Sequence, residues 1–158
     1  MSEIACRRMT PESRDDAFAL LRAFLREDPH YLDSSAAYGD GGEAALARAL
    51  ELFLAKPETG FVWLAYDGAH AVAACVVCFA ISTSAGALVA KLDDVVVQAG
   101  REGRGIGSAH LTALKGELRR LGVKRIDTAV HLRNAGARRF YERHGFRALA
   151  EERIALLL

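Results

Sequence analysis

Two groups of residues in this chain have the types and spacing to do chemistry. The first is Gly103-Arg104-Gly105-Ile106-Gly107-Ser108, three alternating glycines between an apolar run and a helical pattern. At a strand-to-helix turn, consecutive backbone N–H groups and the positive end of the helix dipole converge on one point, and phosphate oxygens suit that point. The same glycines also suit a tight corner that holds nothing. Charge distribution favours an anion: Arg101 to Arg147 contains twelve Lys plus Arg against four Asp plus Glu, a balance of +8, while the rest of the chain carries −7. Solvated basic helix faces would give the same count. A Walker A loop is excluded because no Gly-Lys-Ser/Thr follows, and Ser108 occupies the last glycine of G-x-G-x-x-G. The second group is Asp93-Asp94, adjacent carboxylates in a strand-like run; on a regular strand they face opposite sides, so only one reaches a given reaction centre.

Other residues carry less. Cys75-Val76-Val77-Cys78 spells C-x-x-C, yet positions i and i+3 of a strand face opposite sides, so packing is the better reading than redox or zinc chemistry. No histidine pair has metal-ligand spacing, and of His110, His131 and His144 only His131, near a strand end, is placed to approach a reaction centre. A net charge of +1 with no Lys/Arg tract interleaved with aromatics argues against nucleic acid. The most apolar stretch, 69–97, is broken by His70, Lys91 and two Asp, which argues against a membrane span. Three cysteines, an odd number, and no apolar run behind Met1 fit a reducing, cytoplasmic setting.

The elements that must position these groups follow from periodicity. At 158 residues without repeats or linkers, the chain reads as a single domain over 1–158. A strand over Ile4–Met9 leads to Thr10-Pro11, a helix start. The first helix carries Phe18, Leu21, Phe24 and Leu25 and stops at Asp28-Pro29; a loop from His30 to Gly42 precedes a second helix with Leu46, Leu50, Phe53 and Leu54. Three strands, Phe61–Tyr66, Ala71–Ile81 and Ala87–Val97, have connections short enough for an antiparallel meander. Next come a helix with Leu111, Leu114, Leu118 and Leu121 ended by Gly122, a strand over Lys124–Val130, a helix over Asn134–His144, and one bent or two short strands over Phe146–Leu158. A meander joined to a strand-helix-strand unit predicts an α+β fold, a mixed, mostly antiparallel sheet of six to seven strands flanked by about four helices.

Three pieces together resemble the GNAT superfamily of N-acetyltransferases: Leu92-Asp93-Asp94-Val95-Val96-Val97, the loop 103–108, and Asn134-Ala135-Gly136-Ala137-Arg138-Arg139-Phe140-Tyr141-Glu142-Arg143-His144-Gly145-Phe146. They occur in the family's order and spacing, over roughly residues 87–148. The resemblance implies acetyl-CoA as cosubstrate and no metal. The backbone of Val95, Val96 and Val97 would pair with the pantetheine arm, and Gly103, Arg104, Gly105, Ile106, Gly107 and Ser108 would wrap the pyrophosphate. Asn134 and Ala137 would hold the arm from the other side, although Asn134 is equally a helix N-cap. Tyr141, seven residues after Asn134 and so on the same helix face, matches the tyrosine that protonates the departing thiolate. Asp93 matches the proposed base position.

Two departures matter. Glu102 stands where the family usually has Arg or Gln, and beside a pyrophosphate it must point away or pair with Arg101 or Arg104. The short tail after Arg147 would leave the acceptor site open, or completed by the second subunit of a homodimer. Tyr31 and Tyr38, with Asp28, His30 and Asp33, lie in the segment that borders the acceptor in the family, so Tyr31, Tyr38 and Asp93 are the expected substrate contacts. The expected function is acetyl transfer to a primary amine, with the acidic surplus outside 101–147 favouring a small cationic acceptor. A protein or peptide acceptor, or a noncatalytic acyl-CoA sensor, are the other readings. Neither nucleic acid nor membrane is an expected partner.

Overall fold

Why the chain turns where it does is visible from its first helix onward. The computed structural model describes residues 3–158. β1 (Ile4–Arg8) ends at Thr10, whose N–H donates to Ser13 Oγ at 2.9 Å, and a 3₁₀ turn over Pro11–Ser13 opens α1 (Arg14–Glu27). Asp28-Pro29 stops α1 as expected, but it also starts α2 (Pro29–Ser34): the Asp28 carboxylate accepts the Tyr31 N–H at 2.8 Å, and proline fits the first helical position. The expected 30–42 loop is therefore α2 followed by a 3₁₀ turn, Ser35–Tyr38. α3 (Gly42–Ala55) buries Leu46 and Leu50; truncating Leu50 to Ala would cost about 2–5 kcal/mol.

β2 (Gly60–Asp67), β3 (His70–Ser82) and β4 (Ala87–Val97) form the antiparallel meander, with β1 antiparallel to β2. α4 (Ile106–Arg120) then crosses over, so that β5 (Ile126–Thr128) pairs parallel to β4. Gly122, at φ 79°, closes α4: its N–H donates to Arg119 O and the next N–H, of Val123, donates to Leu118 O, both at 3.0 Å. α5 (Ala135–Arg143) completes the domain. Strand order follows chain order, β1 to β5.

The core lies on both faces of this sheet. Leu20, Leu21, Leu46, Leu50, Val62 and Leu64 form one cluster; Trp63, Cys75, Val77, Leu92, Leu114 and Leu118 form another. Neighbouring β2 residues alternate between the two, as a period of two demands. Cys75 packs in the second cluster and Cys78 against the first, so the C-x-x-C cysteines do lie apart.

The α+β class holds, but among the described residues the sheet has five strands rather than six to seven, and there are five α-helices rather than about four. Lys124–Val130 contributes only three paired residues, and Phe146–Leu158 contributes no strand. A three-residue edge offers few partners, and Glu151-Glu152-Arg153 interrupts the alternation that a half-buried strand needs. Leu149, Ile154, Leu156, Leu157 and Leu158 stay exposed. No helix among the described residues is long and apolar enough to cross a membrane.

Candidate active site

β4 and β5 pair only at Ala90, Lys91 and Leu92, opposite Ile126, Asp127 and Thr128. Beyond that point β4 continues as Asp93–Val97 with no strand beside it on that side among the described residues. Its outward backbone groups, those of Val95, Val96 and Val97 included, therefore lie along an open gap and need partners from water or a ligand.

A β-bulge lies where the gap opens. Val76 is opposite Asp93 and Ala74 opposite Val96, so Asp94 and Val95 together face Cys75 alone. Asp94 takes φ 50°, the only non-glycine in the left-handed region among the described residues; aspartate tolerates this conformation better than most residues. The regular alternation assumed for Asp93 and Asp94 fails at this bulge. Lys91 Nζ holds the Asp93 carboxylate at 3.0 Å. Asp94 has no such partner; burial and then the charge of Asp93 push its carboxyl up to about 6, against the opposing pull of Lys91 and Arg153.

Tyr141, 8% exposed, projects from α5 to the same fork. Burial is the main reason its phenol is pushed up to about 12, with smaller upward effects from Cys75 and Asp93 and a downward one from the Thr128 hydroxyl. Those neighbours locate the phenol between β3, β4 and the end of β5. Phe140 and Phe146 pack on its ring at 5.3 and 5.1 Å. Asn134 is the N-cap of α5, its Oδ1 accepting the Ala137 N–H at 3.1 Å, so Ala137 contributes to the cap and the Asn134 amide N–H donors remain available.

At the far end of the gap, α4 starts at the glycine loop. Gly103 and Gly105 take φ 72° and 79°, which L side chains rarely adopt, although a Cβ at either would meet nothing within 4 Å. A Cβ at Gly107 would meet the Phe140 ring at 3.4 Å and Val97 at 3.7 Å, ordinary van der Waals contact, so α4 packs beside α5 and β4 at this position without needing a glycine. The first helical bond runs from Ala109 N–H to Gly105 O, which leaves the N–H groups of Ile106, Gly107 and Ser108 without helical acceptors. Gly105 offers no side-chain cap. Ile106 is buried against Ala65, Val72 and Ala73 and fixes the turn. The Ser108 hydroxyl is within 3.0 Å of His144 Nε2, tying α4 to α5. Arg101 bonds Asp67 at 2.9 Å rather than Glu102, while Glu102 and Arg104 are exposed.

Opposite the fork lies the 29–38 segment. The rings of Tyr31 and Tyr38 are 6.0 Å apart. Tyr31 OH donates to Asp40 at 3.1 Å, and burial, Asp40 and then Asp94 push its pKa up to about 12, which puts it in reach of the bulge. Asp33 accepts from His131 Nε2 at 2.7 Å and from Arg133 at 2.8 Å, while His131 Nδ1 accepts the Arg133 N–H at 3.1 Å. Both nitrogens of His131 are thus engaged, so it is no free base; His30 packs against its ring at 5.0 Å. The tail reaches this segment too, with the Arg153 guanidinium 5.0 Å over Tyr38. Among the described residues no group of three or more His, Cys, Asp or Glu is arranged to hold a metal.

A model of the acetyltransferase (GNAT) family matches residues 14–146. The chain belongs to the GNAT acetyltransferase family. Among solved structures it resembles an integron cassette protein from the mobile metagenome of Cole Harbour Salt Marsh, at 25% identity and TM-score 0.76 over 97% of this chain and 90% of that one. A possible acetyltransferase from Clostridium difficile 630 superposes with TM-score 0.81 at 13% identity, over 99% of each chain. A ribosomal-protein-alanine N-acetyltransferase from Brucella melitensis biovar Abortus 2308 does so with TM-score 0.74 at 12% identity, over 98% and 99%. The latter two share the fold alone. No curated protein matches the sequence.

The expected cosubstrate residues fall around one gap, with Val95–Val97 along its edge, 103–108 at its far end and Asn134, Ala137 and Tyr141 on its α5 side, while Tyr31 lies within reach of the Asp94 charge and Tyr38 beside Tyr31. Two features were not foreseen, the freedom of Asp94 relative to Asp93 and the approach of Arg153. A left-handed bulge leaves no mark in an Asp-Asp pair, and nothing in the tail sequence shows that it returns over Tyr38.

Proposed function

We propose that this GNAT protein transfers the acetyl group of acetyl-CoA directly to a primary amine of a small molecule. One observation carries the reading: a free carboxylate of raised pKa, Asp94, and a protonated phenol, Tyr141, border the fork where β4 parts from β5. The gap fits an extended cosubstrate, with unpaired backbone along Val95–Val97 and three free N–H groups at residues 106–108 for phosphate oxygens. When bound there, acetyl-CoA supplies an acetyl group already activated as a thioester.

The chain's residues then divide the work. An ammonium has no lone pair, so Asp94, ionised above about pH 6, takes a proton from the incoming amine. Asp93, the base expected from the resemblance, instead pairs with Lys91 and keeps Asp94 from being too weak a base by its like charge. The amine nitrogen bonds to the acetyl carbon as the bond to sulfur breaks. Tyr141 gives its proton to the departing sulfur and regains one from the nitrogen, and Asp94 passes the proton it took to water, so atoms and charges balance without a covalent enzyme intermediate. Tyr31 and Tyr38 offer ring faces to a cationic acceptor.

Free-thiol release from acetyl-CoA across a panel of small primary amines and short peptides tests the reading. Turnover with small amines is expected. Turnover with peptides alone would replace the acceptor class, and none with any amine would leave a noncatalytic binding domain.

A further inference from the structure

Four carboxylates lie near the acceptor end of the site, and three are already engaged. Lys91 holds Asp93, while His131 and Arg133 hold Asp33. Asp40 accepts from Tyr31 OH and from the Gly42 N–H at 2.7 Å. Asp94 is left over. Among the cations there, Lys91, His131 and Arg133 are consumed by the same pairs, and Arg153 has no carboxylate in ion-pair contact among the described residues. An unpaired carboxylate and an unpaired guanidinium thus lie at one end of the sheet: Arg153 sits over Tyr38, whose segment Asp33 ties to His131 and Arg133 just beyond β5, and its charge reaches Asp94 without an ion pair.

We propose that the acceptor is a zwitterion, an amine that also carries a carboxylate, and that Arg153 determines this specificity by binding the carboxylate while the amine faces Asp94. This rests on the acetyltransferase reading above. A molecule bearing both charges satisfies both groups at once, with its ammonium at Asp94 and its anion at Arg153. The setting suits the second role: the guanidinium carbon lies 5.0 Å from the Tyr38 ring centroid with no ion-pair partner among the described residues, and two of its N–H donors match the two oxygens of a carboxylate. The tail that carries it rests against the 29–38 segment elsewhere too, with a Leu157 methyl carbon 3.0 Å from where a Gly39 Cβ would stand. The same charge acts against the wrong acceptor. A diamine that placed one nitrogen at Asp94 would bring its second ammonium toward Arg153, an unfavourable contact that excludes polycations.

The test uses the full chain and matched probes: glycine, β-alanine, 4-aminobutyrate, lysine and glutamate, each with its carboxamide, and 1,4-diaminobutane. Thiol release gives kcat and KM, and calorimetry gives Kd for the same amines on the CoA-loaded protein. We expect at least one free acid to be favoured about tenfold or more over its amide, through KM and Kd. Arg153→Gln removes that preference by raising KM and Kd for the acid about tenfold more than for its amide, and Arg153→Lys keeps part of it. Arg153 is exposed, and an unchanged urea midpoint confirms that the variant folds. Equal affinity for every acid and its amide would overturn the proposal, as would a diamine favoured by the wild type. Failure of the parent reading looks different. If no amine is acetylated but Arg153-dependent binding of a free acid persists, the acetyltransferase reading falls and the carboxylate site stands; if amines turn over with no acid preference, the reverse holds.

Discussion

The Thr128 hydroxyl donates to the Leu92 carbonyl at 3.1 Å, and with that bond the pairing of β4 to β5 ends. The groups given chemical roles in the proposal lie just beyond it: the bulge at Asp94, the open edge to Val97, and the Tyr141 phenol beside Thr128 itself. A longer β5 would have paired that edge and closed the gap.

Tyr141→Phe keeps the ring packing and removes only the donor. Proton donation by a positioned group typically contributes about 10²–10⁴-fold, so kcat should fall within that range while the acetyl-CoA Kd changes less than about threefold. Steady-state thiol release and calorimetry check the two halves. An unchanged kcat would remove Tyr141 from the chemistry.

The carboxylate pair predicts a specific pH profile. With Asp94 raised to about 6, activity should rise along an acid limb centred near that pH. Asp94→Asn should abolish the limb and most of kcat. Asp93→Asn removes a like charge and frees Lys91, both of which favour ionised Asp94, so the limb should move to lower pH with activity retained. If Asp93→Asn is instead the dead variant, the roles are reversed.

Asp94 should also cost stability. A carboxyl whose folded pKa lies above its ordinary 3.8 is destabilising once ionised, so its penalty is absent below about pH 4 and grows as pH rises through 6. At about 1.4 kcal/mol per unit, the penalty reaches up to about 3 kcal/mol at pH 7. Asn keeps the size and tolerates the left-handed backbone, so Asp94→Asn should raise the urea midpoint at pH 7 and leave it unchanged at pH 4.

His110 gives the opposite slope for a different reason. It is 2% exposed, its Nε2 lies 3.0 Å from Trp63 O, and Trp63 Nε1 donates back to His110 O at 3.3 Å. Burial lowers its pKa to about 4, so below 6.5 the unfolded chain takes up a proton that the folded one refuses. The stability due to this histidine should hold above pH 6.5 and decline toward pH 4, by about 3 kcal/mol in all, against the opposing slope of Asp94. His110→Gln keeps a donor for Trp63 O without the titration; made in the Asp94→Asn background, which removes the opposing carboxylate slope, it should bring the urea midpoints at pH 7 and 5 together.

Local patterns carried much of this structure. Apolar spacing marked α1, α3 and α4, Gly122 marked the close of α4, and short connections gave the meander. The loop 103–108 and the Asn134–Phe146 run placed the candidate cosubstrate groove. What failed depended on contacts distant in sequence. Asp28-Pro29 ends one helix and starts another, and only the Asp28 bond to the Tyr31 N–H shows the second role. β5 stops at Thr128 although its sequence continues with Ala129-Val130, because strand length is set by the partner as well as by propensity. Asp93 and Asp94 are chemically identical, and only the bulge and the reach of Lys91 separate them.

The most direct measurement is thermal unfolding of the protein with and without acetyl-CoA, followed by the same pair for Gly105→Ala. A ligand at about 100 times its Kd adds roughly 2.7 kcal/mol to the folded state, so the wild type should show a clear upward shift in Tm. Gly105→Ala should unfold earlier, by about 1–2 kcal/mol for a side chain at φ 79°, and should lose most of the acetyl-CoA shift because the turn that aims the 106–108 N–H groups is strained. No shift for the wild type at millimolar acetyl-CoA would contradict the placement of the cosubstrate in the gap, and the roles given to Asp94 and Tyr141 would fall with it.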